Sequence, residues 1–268
     1  MVSEPNIAAL SLFWYWIGER EVIRKLKEAG ASGPWTSDEI LRNYHFCNVC
    51  REDDRGTKEI RAVVRHFKVD YWDLPWVYTA ARLFNNAKTL AILLQNNWDF
   101  ELLKKVREGQ TIFHTAYVVS TCGVSVDKVD YVKGVVEAVK RRHIPTESCQ
   151  AAFEMLTLIN GMGSFLAGQV IADLKNHMYL EAASDWQTWS SIGPGSKKGL
   201  QYIFDKVAVS EKNYQFLMGE LVRMMPSHIK ERNIHMQDLQ NCLCEFSKYM
   251  RLKRNEPGRR RPYWKEKP

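Results

Sequence analysis

The feature of this sequence that most constrains its fold is a Gly-x-Gly turn between two apolar segments, within residues 158–171. One apolar segment leads into Gly161-Met162-Gly163, and the apolar pattern resumes at Phe165. This is the layout of a helix-hairpin-helix, whose turn directs backbone N–H groups towards a nucleic-acid phosphate. Glycine suits the turn because a side chain would block that approach. The sequence therefore predicts DNA contacts from Gly161, Gly163 and Ser164; the alternative is an ordinary C-cap glycine before a close helix contact.

An aspartate follows the hairpin at a distance that suggests chemistry on DNA. Asp185 lies 22 positions after Gly163, and this spacing resembles that of helix-hairpin-helix DNA glycosylases, in which an aspartate serves base removal. The resemblance implies that Asp185 is catalytic and stabilises the cationic sugar left when a glycosidic bond breaks. It also places Phe165 where bifunctional members carry a lysine nucleophile, which disfavours a lyase mechanism. The alternative interpretation of Asp185 is a helix N-cap.

Helical patterns dominate the rest of the chain and predict a mostly α fold. Residues 5–29 form one pattern that ends at Gly30, and residues 36–39 are a capping box that opens the next helix. Residues 111–121 are rich in β-branched and aromatic side chains, which allows a short strand or a buried helix. These patterns predict a mostly α fold, and the resemblance noted above implies that it is a helix-hairpin-helix DNA glycosylase-like helical fold, with room for two lobes around a cleft. We expect one compact catalytic and DNA-binding domain over residues 1–250 and a basic tail over residues 251–268.

The positive charge of the chain is concentrated in that tail. The formal net charge is +7, and residues 251–268 carry eight basic and two acidic side chains. Arg259, Arg260 and Arg261 stand close to Tyr263 and Trp264, a mixture that suits phosphate neutralisation and base stacking. The alternative is a solvated tail that only keeps the protein in solution.

A second glycine-rich turn lies at residues 193–199, in Gly-Pro-Gly-Ser-Lys-Lys-Gly. The start of a helix, the Ser196 hydroxyl and the ammonium groups of Lys197 and Lys198 together predict an anion site for a DNA phosphate or a phosphorylated base. It is not a Walker loop, because the order Gly-x-x-x-x-Gly-Lys-Ser/Thr occurs nowhere in the sequence. The alternative is a tight turn with a helix cap.

A charged segment near the start of the chain suggests a base pocket. Residues 42–55 alternate arginines and acidic residues around Asn48, which usually indicates a surface ion-pair network of little energetic consequence. With the nearby tryptophans, the same segment could line a pocket in which an asparagine contacts a base edge. The predicted base pocket consists of Trp14, Trp16, Asn48, Arg51, Asp54, Arg55, Phe165 and Trp186.

Composition and cysteine usage limit the other classes of protein. Six cysteines in 268 residues do not form the framework of a small secreted domain, so we expect reduced thiols in a cytoplasmic protein. Cys47 and Cys50 have the spacing of half a zinc site, but Cys242 and Cys244 do not supply the other half, and we expect no metal and no cofactor. The apolar residues 10–17 are too few to span a bilayer and have no signal-peptide leader, so we expect no membrane association. The sequence does not indicate an oligomeric state.

Several motifs taken together resemble one family over residues 10–263. They include Phe13-Trp14-Tyr15-Trp16-Ile17-Gly18-Glu19-Arg20, Gly33-Pro34-Trp35-Thr36, Phe46-Cys47-Asn48, Arg51-Glu52-Asp53-Asp54-Arg55, Gly163-Ser164-Phe165-Leu166-Ala167, Gly193-Pro194-Gly195-Ser196 and Leu243-Cys244-Glu245-Phe246. The resemblance is to the helical family named for 5-hydroxymethyluracil DNA kinases, also called α-glutamyl/putrescinyl thymine pyrophosphorylase, which is linked to DNA base hypermodification. The chain departs from that pattern where Lys197-Lys198 and Cys50 stand in place of arginine, and lysine lacks bidentate phosphate geometry.

The family resemblance implies work on modified pyrimidines in DNA, and three functions follow. The favoured hypothesis is a monofunctional DNA glycosylase that flips the base and hydrolyses its N-glycosidic bond with Asp185, in defence against phage with modified DNA. The second is a transferase that replaces a phosphate or pyrophosphate on hydroxymethyluracil with an amine or amino acid, with the turn at residues 193–198 holding the leaving group. The third is a non-catalytic DNA-binding module that recruits a kinase in trans and tolerates Asp185→Asn.

Overall fold

A computed structural model describes residues 4–114, 120–121 and 123–258, and this part of the chain is helical and contains no strand. Its helices are α1 (Ile7–Glu28), α2 (Glu39–Asn43), α3 (Arg55–His66), α4 (Leu74–Phe84), α5 (Ala87–Gln95), α6 (Phe100–Val106), α7 (Lys128–Lys140), α8 (Cys149–Thr157), α9 (Ser164–Lys175), α10 (Pro194–Ile203), α11 (Glu211–Arg223), α12 (Ser227–Lys230) and α13 (Met236–Lys253). The prediction of a mostly α fold is confirmed, whereas any likeness to glycosylases stays a prediction. Most of the segment considered for a strand, and the tail residues Arg259, Arg260 and Arg261, lie outside the described residues.

The chain contacts form two compact units. Unit 1 comprises Met1–Asp53 and Ile192–Pro268, and unit 2 comprises Asp54–Ser191. Each unit has a hydrophobic core of its own. We expected one compact domain over residues 1–250 from the sequence. The two cores are not visible there, because the composition does not change where the chain leaves unit 1 or where it returns to it.

Unit 1 is built on the close packing of α10 against α13. Two glycines of α10 allow this approach: a Cβ on Gly199 would overlap the Leu243 carbonyl oxygen, and a Cβ on Gly195 would overlap the Cys244 sulfur. Helix α1 packs against both helices. It begins at the predicted place, where the Asn6 side chain accepts a hydrogen bond from the Ala9 N–H.

Unit 2 surrounds α4, all of whose residues are buried. Helices α7 and α9 pack against α4. Between α4 and α9 lies a buried ion pair, in which Arg82 Nε donates to Asp173 Oδ2 at 2.5 Å. A second guanidinium nitrogen of Arg82 donates to the Thr57 hydroxyl at 3.2 Å. These contacts connect α3, α4 and α9. Removing either charged partner would leave the other as an uncompensated buried charge, which is strongly destabilising.

The predicted helix-hairpin-helix is present as α8, a turn and α9. Helix α8 begins at Cys149, because Ser148 is its N-cap and accepts a hydrogen bond from the Ala151 N–H. Gly163 is the N-cap of α9. We call residues 158–163 the hairpin turn and residues 193–199 the second turn.

Candidate functional site

Unit 1 contains a cavity of about 800 Å³ beside α1. Its wall comes from α1, from α12 and from the chain between α12 and α13. It consists of Trp14, Tyr15, Ile17, Gly18, Glu19, Glu21, Val22, Lys25, His228, Ile229, Glu231, Arg232 and Ile234. A volume of this size is within the usual range of about 300–1,000 Å³ for small-molecule sites. The mixture of aromatic and charged residues in the wall suits a ligand that has an apolar or aromatic part and a polar or charged part.

The register of α1 gives the cavity two different ends. Trp14 and Tyr15 are aromatic, whereas Glu21 and Lys25 are charged and lie further along the helix. At about 1.5 Å per residue, Trp14 and Glu21 are separated by about 10 Å along the helix axis. The cavity therefore suits a ligand with a planar ring at one end and a charged or polar group at the other.

Glu21, at the charged end, is held by two arginines. Its Oε2 atom lies 3.2 Å from Arg24 Nη2 and 2.9 Å from Arg232 Nε. Arg232 also binds Asp53, with its Nη2 atom 2.8 Å from Asp53 Oδ2. The other oxygen of Glu21, Oε1, is buried and finds no hydrogen-bond partner among the described residues. An unsatisfied buried polar atom costs about 1–3 kcal/mol.

Trp14, at the aromatic end, also has an unsatisfied polar atom. The residue is only 8% exposed, and its Nε1 atom is buried without a hydrogen-bond acceptor in the described part of the chain. Buried indole N–H groups usually have a partner. The neighbouring Tyr15 is partly exposed, and burial together with the Glu19 carboxylate raises the pKa of its hydroxyl, which therefore stays protonated.

Gly18 lies in the middle of α1 and in the wall between the two ends of the cavity. A Cβ built on it would meet no atom within 4 Å among the described residues. Glycine in a helix interior costs about 1 kcal/mol relative to alanine. Since helix packing does not require a glycine here, its effect is to leave the middle of the cavity open.

Two cysteine thiols near the regions of interest are not available as nucleophiles. Burial raises the pKa of Cys50, whose sulfur is 3.5 Å from Arg232 Nη2, to about 12. Burial likewise raises the pKa of Cys149 to about 12, with a smaller lowering effect from Lys175. Because the thiolate is the reactive form, both side chains are unreactive at neutral pH.

Unit 1 contains four of the eight residues of the predicted base pocket, and one of them lines the cavity. Trp14 is in the wall, but Trp16 is fully buried in the core, with its ring 6.0 Å from that of Phe46. The Asn48 amide donates to the Asp53 carbonyl at 3.0 Å, and so braces the loop. The Arg51 N–H donates to Asp238 at 3.1 Å.

Unit 2 contains the other four. Asp54 is the N-cap of α3, and Arg55 forms a solvent-exposed ion pair with Glu59. Phe165 is exposed in the first turn of α9. The Trp186 indole N–H donates to the Lys175 carbonyl at 2.8 Å. The predicted pocket is thus divided between the two units.

Asp185 occupies the position of a helix cap. Its Oδ1 atom accepts a hydrogen bond from the Cys149 N–H at 2.6 Å, and its Oδ2 atom accepts one from the Gln150 N–H at 3.0 Å. Both N–H groups belong to the first turn of α8, where a carboxylate also interacts favourably with the helix dipole. Asp185 is not the N-cap residue of α8, which is Ser148, but its contacts with these two N–H groups supplement that cap and give the carboxylate a structural role.

The glycines of the hairpin turn differ from each other. Gly161 has φ +90°, and a Cβ on it would lie 2.6 Å from Val135 Cγ2, so contact with α7 requires glycine there. Gly163 and Ser164 are exposed, and a Cβ on Gly163 would have open space around it in the described part of the chain. Of the two glycines, Gly163 is the one at which a phosphate has free access to the backbone.

The second turn is packed inside unit 1 rather than open. Ser196 is fully buried, and its hydroxyl donates to the Gly193 carbonyl at 3.0 Å and accepts from the Tyr214 hydroxyl at 2.9 Å. The prediction that Ser196 contacts DNA is corrected by this burial. Lys197 is exposed, whereas Lys198 is paired with Glu256 at 3.0 Å.

Sequence reasoning missed the residues that complete the cavity, namely Tyr15, Gly18, Glu21, Lys25, Glu231 and Arg232. The available signal was Gly18, a glycine in the middle of an otherwise strong helical pattern. The partnership of Glu21 with Arg232 joins residues far apart in the chain, and no local pattern predicts it.

Two further observations concern metals and membranes. The described residues include no group of three or more His, Cys, Asp or Glu side chains placed to hold a metal ion. Over the same ranges, every helix is too short or too polar to cross a bilayer.

Comparison with known proteins gives two matches. The sequence profile of the 5-hmdU DNA kinase helical domain matches residues 8–259. The 5-hmdU DNA kinase of Bacillus phage SP10 is 24% identical to the chain, in an alignment that covers 94% of this chain and 45% of the phage protein. The chain thus spans less than half the length of that relative. No solved structure matches it.

These matches overturn the favoured hypothesis from the sequence. A kinase is a transferase, so the prediction of a DNA glycosylase, a hydrolase in which Asp185 breaks the glycosidic bond, is wrong. The defence role that depended on that activity is withdrawn with it. The resemblance recognised in the motifs is confirmed, because the profile covers nearly the whole chain. The chain belongs to the family of 5-hmdU DNA kinase helical domains.

Proposed function

We propose that this chain binds DNA that contains 5-hydroxymethyluracil, or its phosphorylated form, and takes part in group transfer at the 5-substituent of that base. The family and the phage relative are both named for a kinase of this modified nucleoside in DNA. DNA is accordingly the partner we propose for this chain. A base within a duplex must leave the stack before an enzyme can act on it, so the chain needs a pocket for an everted base.

The observation that carries the proposal is the two-ended cavity of unit 1, lined by aromatic residues and by charged ones. In this proposal the pyrimidine ring lies at the aromatic end, beside Trp14 and Tyr15. The 5-substituent points along α1 towards the charged end, where Lys25 supplies the positive charge for a phosphate, since Arg232 is already paired with Glu21 and Asp53. Gly18 leaves the middle of the cavity open for that substituent.

The hairpin turn is the backbone contact that we propose for unit 2. Gly163 and Ser164 are exposed, and the first turn of a helix leaves N–H groups without intrahelical partners. Leu158 and Phe165, on either side of the turn, are also exposed. Exposed apolar side chains beside backbone N–H groups suit contact with a DNA groove and its phosphates.

A second candidate is a transferase that replaces the phosphate on the base with an amine. The observation that favours it is the carboxylate content of the charged end. Glu21 has an unsatisfied oxygen, and Glu231 is an exposed carboxylate in the same wall. Carboxylates at this position would attract an ammonium group, and Glu231 would accept the proton that the amine loses as its nitrogen forms the new C–N bond and the C–O bond to the departing phosphate breaks.

A binding experiment with matched variants tests the main proposal. Fluorescence anisotropy compares duplexes that differ by one 5-hydroxymethyluracil in place of thymine. Gly18→Leu fills the cavity and should reduce the preference for the modified duplex about ten-fold. Gly134→Leu is the control, because Gly134 is also a helix-interior glycine around which the described residues leave open space. An unaltered preference in Gly18→Leu, with both variants folded by circular dichroism, would contradict the assignment of the cavity.

Mass spectrometry of the nucleosides then separates the reactions. The chain is incubated with 5-hydroxymethyluracil DNA and ATP, and separately with DNA carrying the phosphorylated base and an amine. A phosphorylated nucleoside supports phosphoryl transfer, and an amine-substituted nucleoside supports the second candidate. Preferential binding without a change of mass indicates that the chain binds the modified base and that the transfer itself needs residues outside this chain. If the wild-type chain shows neither preferential binding nor a change of mass, the proposed function is excluded.

A further inference from the structure

We propose that unit 2 carries a separate nucleotide-stacking site, at Trp72, which holds an unpaired nucleotide of single-stranded DNA. This inference rests on the proposed function only in taking DNA as the ligand. It concerns a different unit, and it requires no modified base. The site is a cavity of about 250 Å³ whose wall includes Trp72, Trp76, Tyr179, Lys140, Arg142 and His143.

The first observation is an exposed indole that packs on two fixed aromatic side chains. Trp72 is 61% exposed, although its edge contacts the rings of Tyr71 and Tyr179 at centroid distances of 5.0 and 6.3 Å. Hydrogen bonds hold the two tyrosines in place. The Tyr179 hydroxyl donates to the Ile144 carbonyl at 2.8 Å, and the Tyr71 hydroxyl donates to the Tyr179 carbonyl at 3.1 Å. Trp72 is therefore presented to solvent on a rigid support.

The second observation is the charge around the indole. Lys140, Arg142 and His143 lie at the end of α7 and line the same cavity. The His143 ring is 6.1 Å from the Trp72 ring. Asp73 is the one carboxylate in the described wall, and it accepts a hydrogen bond from the Trp76 indole N–H at 2.9 Å. The cavity is thus positively charged next to an open aromatic surface.

These features together fit a nucleotide. A base can stack on the indole, and its phosphate can lie against Arg142 and Lys140, the combination that proteins use to hold single strands. Basic residues at the end of α7 would also stabilise the helix dipole. That role explains the cations, but it does not explain an indole that is exposed beside them.

Anisotropy with a fluorescent oligothymidylate and the full chain tests the inference. Trp72→Ala should raise the dissociation constant about 5- to 100-fold, since stacking contributes about 1–3 kcal/mol per base. Trp72→Phe should retain most of the affinity because it keeps a ring. Phe216→Ala is the control, because Phe216 is a comparably exposed aromatic residue in unit 1. The inference is overturned if the wild-type chain does not bind the oligonucleotide or if Trp72→Ala and Phe216→Ala bind it equally well.

Salt dependence gives a second readout that a merely structural role would not change. Arg142→Gln should lower the slope of log affinity against log salt by about 0.7, as expected for the loss of one phosphate contact to a single strand. Arg223→Gln, at an exposed arginine of unit 1, should leave the slope unchanged. A slope that Arg142→Gln does not alter would count against the site.

The two proposals fail in different ways. Trp72→Ala should weaken the binding of thymine DNA and of 5-hydroxymethyluracil DNA by the same factor. Gly18→Leu, in contrast, should change the ratio of the two affinities. Loss of the ratio effect alone would remove the cavity assignment in unit 1 and leave the stacking site in place. Loss of the Trp72 effect alone would remove the stacking site.

Discussion

The two glycine-rich turns of this chain look alike in sequence, but their glycines have different structural roles. In the second turn and the helix that follows, Gly195 and Gly199 are pressed against α13, and Ser196 is buried between them. In the hairpin turn, Gly161 is pressed against α7, but Gly163 is exposed with open space around its Cα atom in the described residues. Both turns were predicted to bind phosphate, and Gly163 is the one of their glycines that is exposed with open space around it in the described residues.

This difference shows that a glycine motif has to be judged by what a Cβ would meet. A glycine whose Cβ would overlap neighbouring atoms is required for packing, and its replacement should lower the free energy of unfolding. A glycine with open space around it is unexplained by packing, and its loss should affect a ligand. Substitutions at the two turns can therefore test the distinction directly.

The largest effect is expected for Gly199→Ala. The added Cβ would overlap the Leu243 carbonyl oxygen, which belongs to the backbone of α13 and cannot move aside as a side chain can. Because α10 and α13 would have to separate, we expect a loss of about 3 kcal/mol in the free energy of unfolding. Urea denaturation followed by circular dichroism measures it. A loss below about 0.5 kcal/mol would mean that this contact is looser than described.

Gly161→Ala should have the next largest effect, about 1–3 kcal/mol. The residue has φ +90°, which an alanine tolerates poorly, and its Cβ would meet Val135 Cγ2 at 2.6 Å. Since Val135 contributes a side chain, it can adjust, and the cost should be smaller than at Gly199. The same denaturation experiment decides the order of the two variants, and the reverse order would contradict this account.

Ser196→Ala tests whether the second turn is structural. The change removes the partner of the Tyr214 hydroxyl and of the Gly193 backbone, so we expect a loss of about 1–2 kcal/mol. Affinity for duplex DNA should not change, because the hydroxyl is fully buried. Weaker DNA binding without a loss of stability would return the second turn to the list of phosphate sites.

The limits of the sequence follow from the same comparison. Helix periodicity and capping residues act over a few positions, so the helices, the cap at the start of α2 and the hairpin were predictable. Asp185 was open to two interpretations because no local pattern connects it to its partners. These are the N–H groups of Cys149 and Gln150, which lie 36 and 35 residues away in the sequence. The two cores were not predictable for a related reason: unit 1 is assembled from both ends of the chain.

The candidate site was only partly predictable. Trp14 was identified as an aromatic residue near a charged segment, and it lines the cavity. Arg51 and Asn48 were assigned to base recognition from composition, but Asn48 makes hydrogen bonds that fix its own loop. The charged end depends on Glu21 and Arg232 meeting across about two hundred residues, which only the tertiary structure provides.

The smallest effect on stability, and the most informative one, is expected for Gly163→Ala. The residue has φ −62° and no neighbour in the described chain that a Cβ would meet, so the cost should be only that of a poorer N-cap, about 0.5 kcal/mol. If the hairpin turn binds a phosphate, the methyl group should still weaken duplex DNA binding about five-fold, because it intrudes where the backbone is approached. Gly134→Ala is the matched control, since it adds the same methyl group at an exposed position of unit 2. Equal DNA affinity in the two variants would show that the open glycine of the hairpin does not contact DNA, and the difference between the two turns would then concern packing alone.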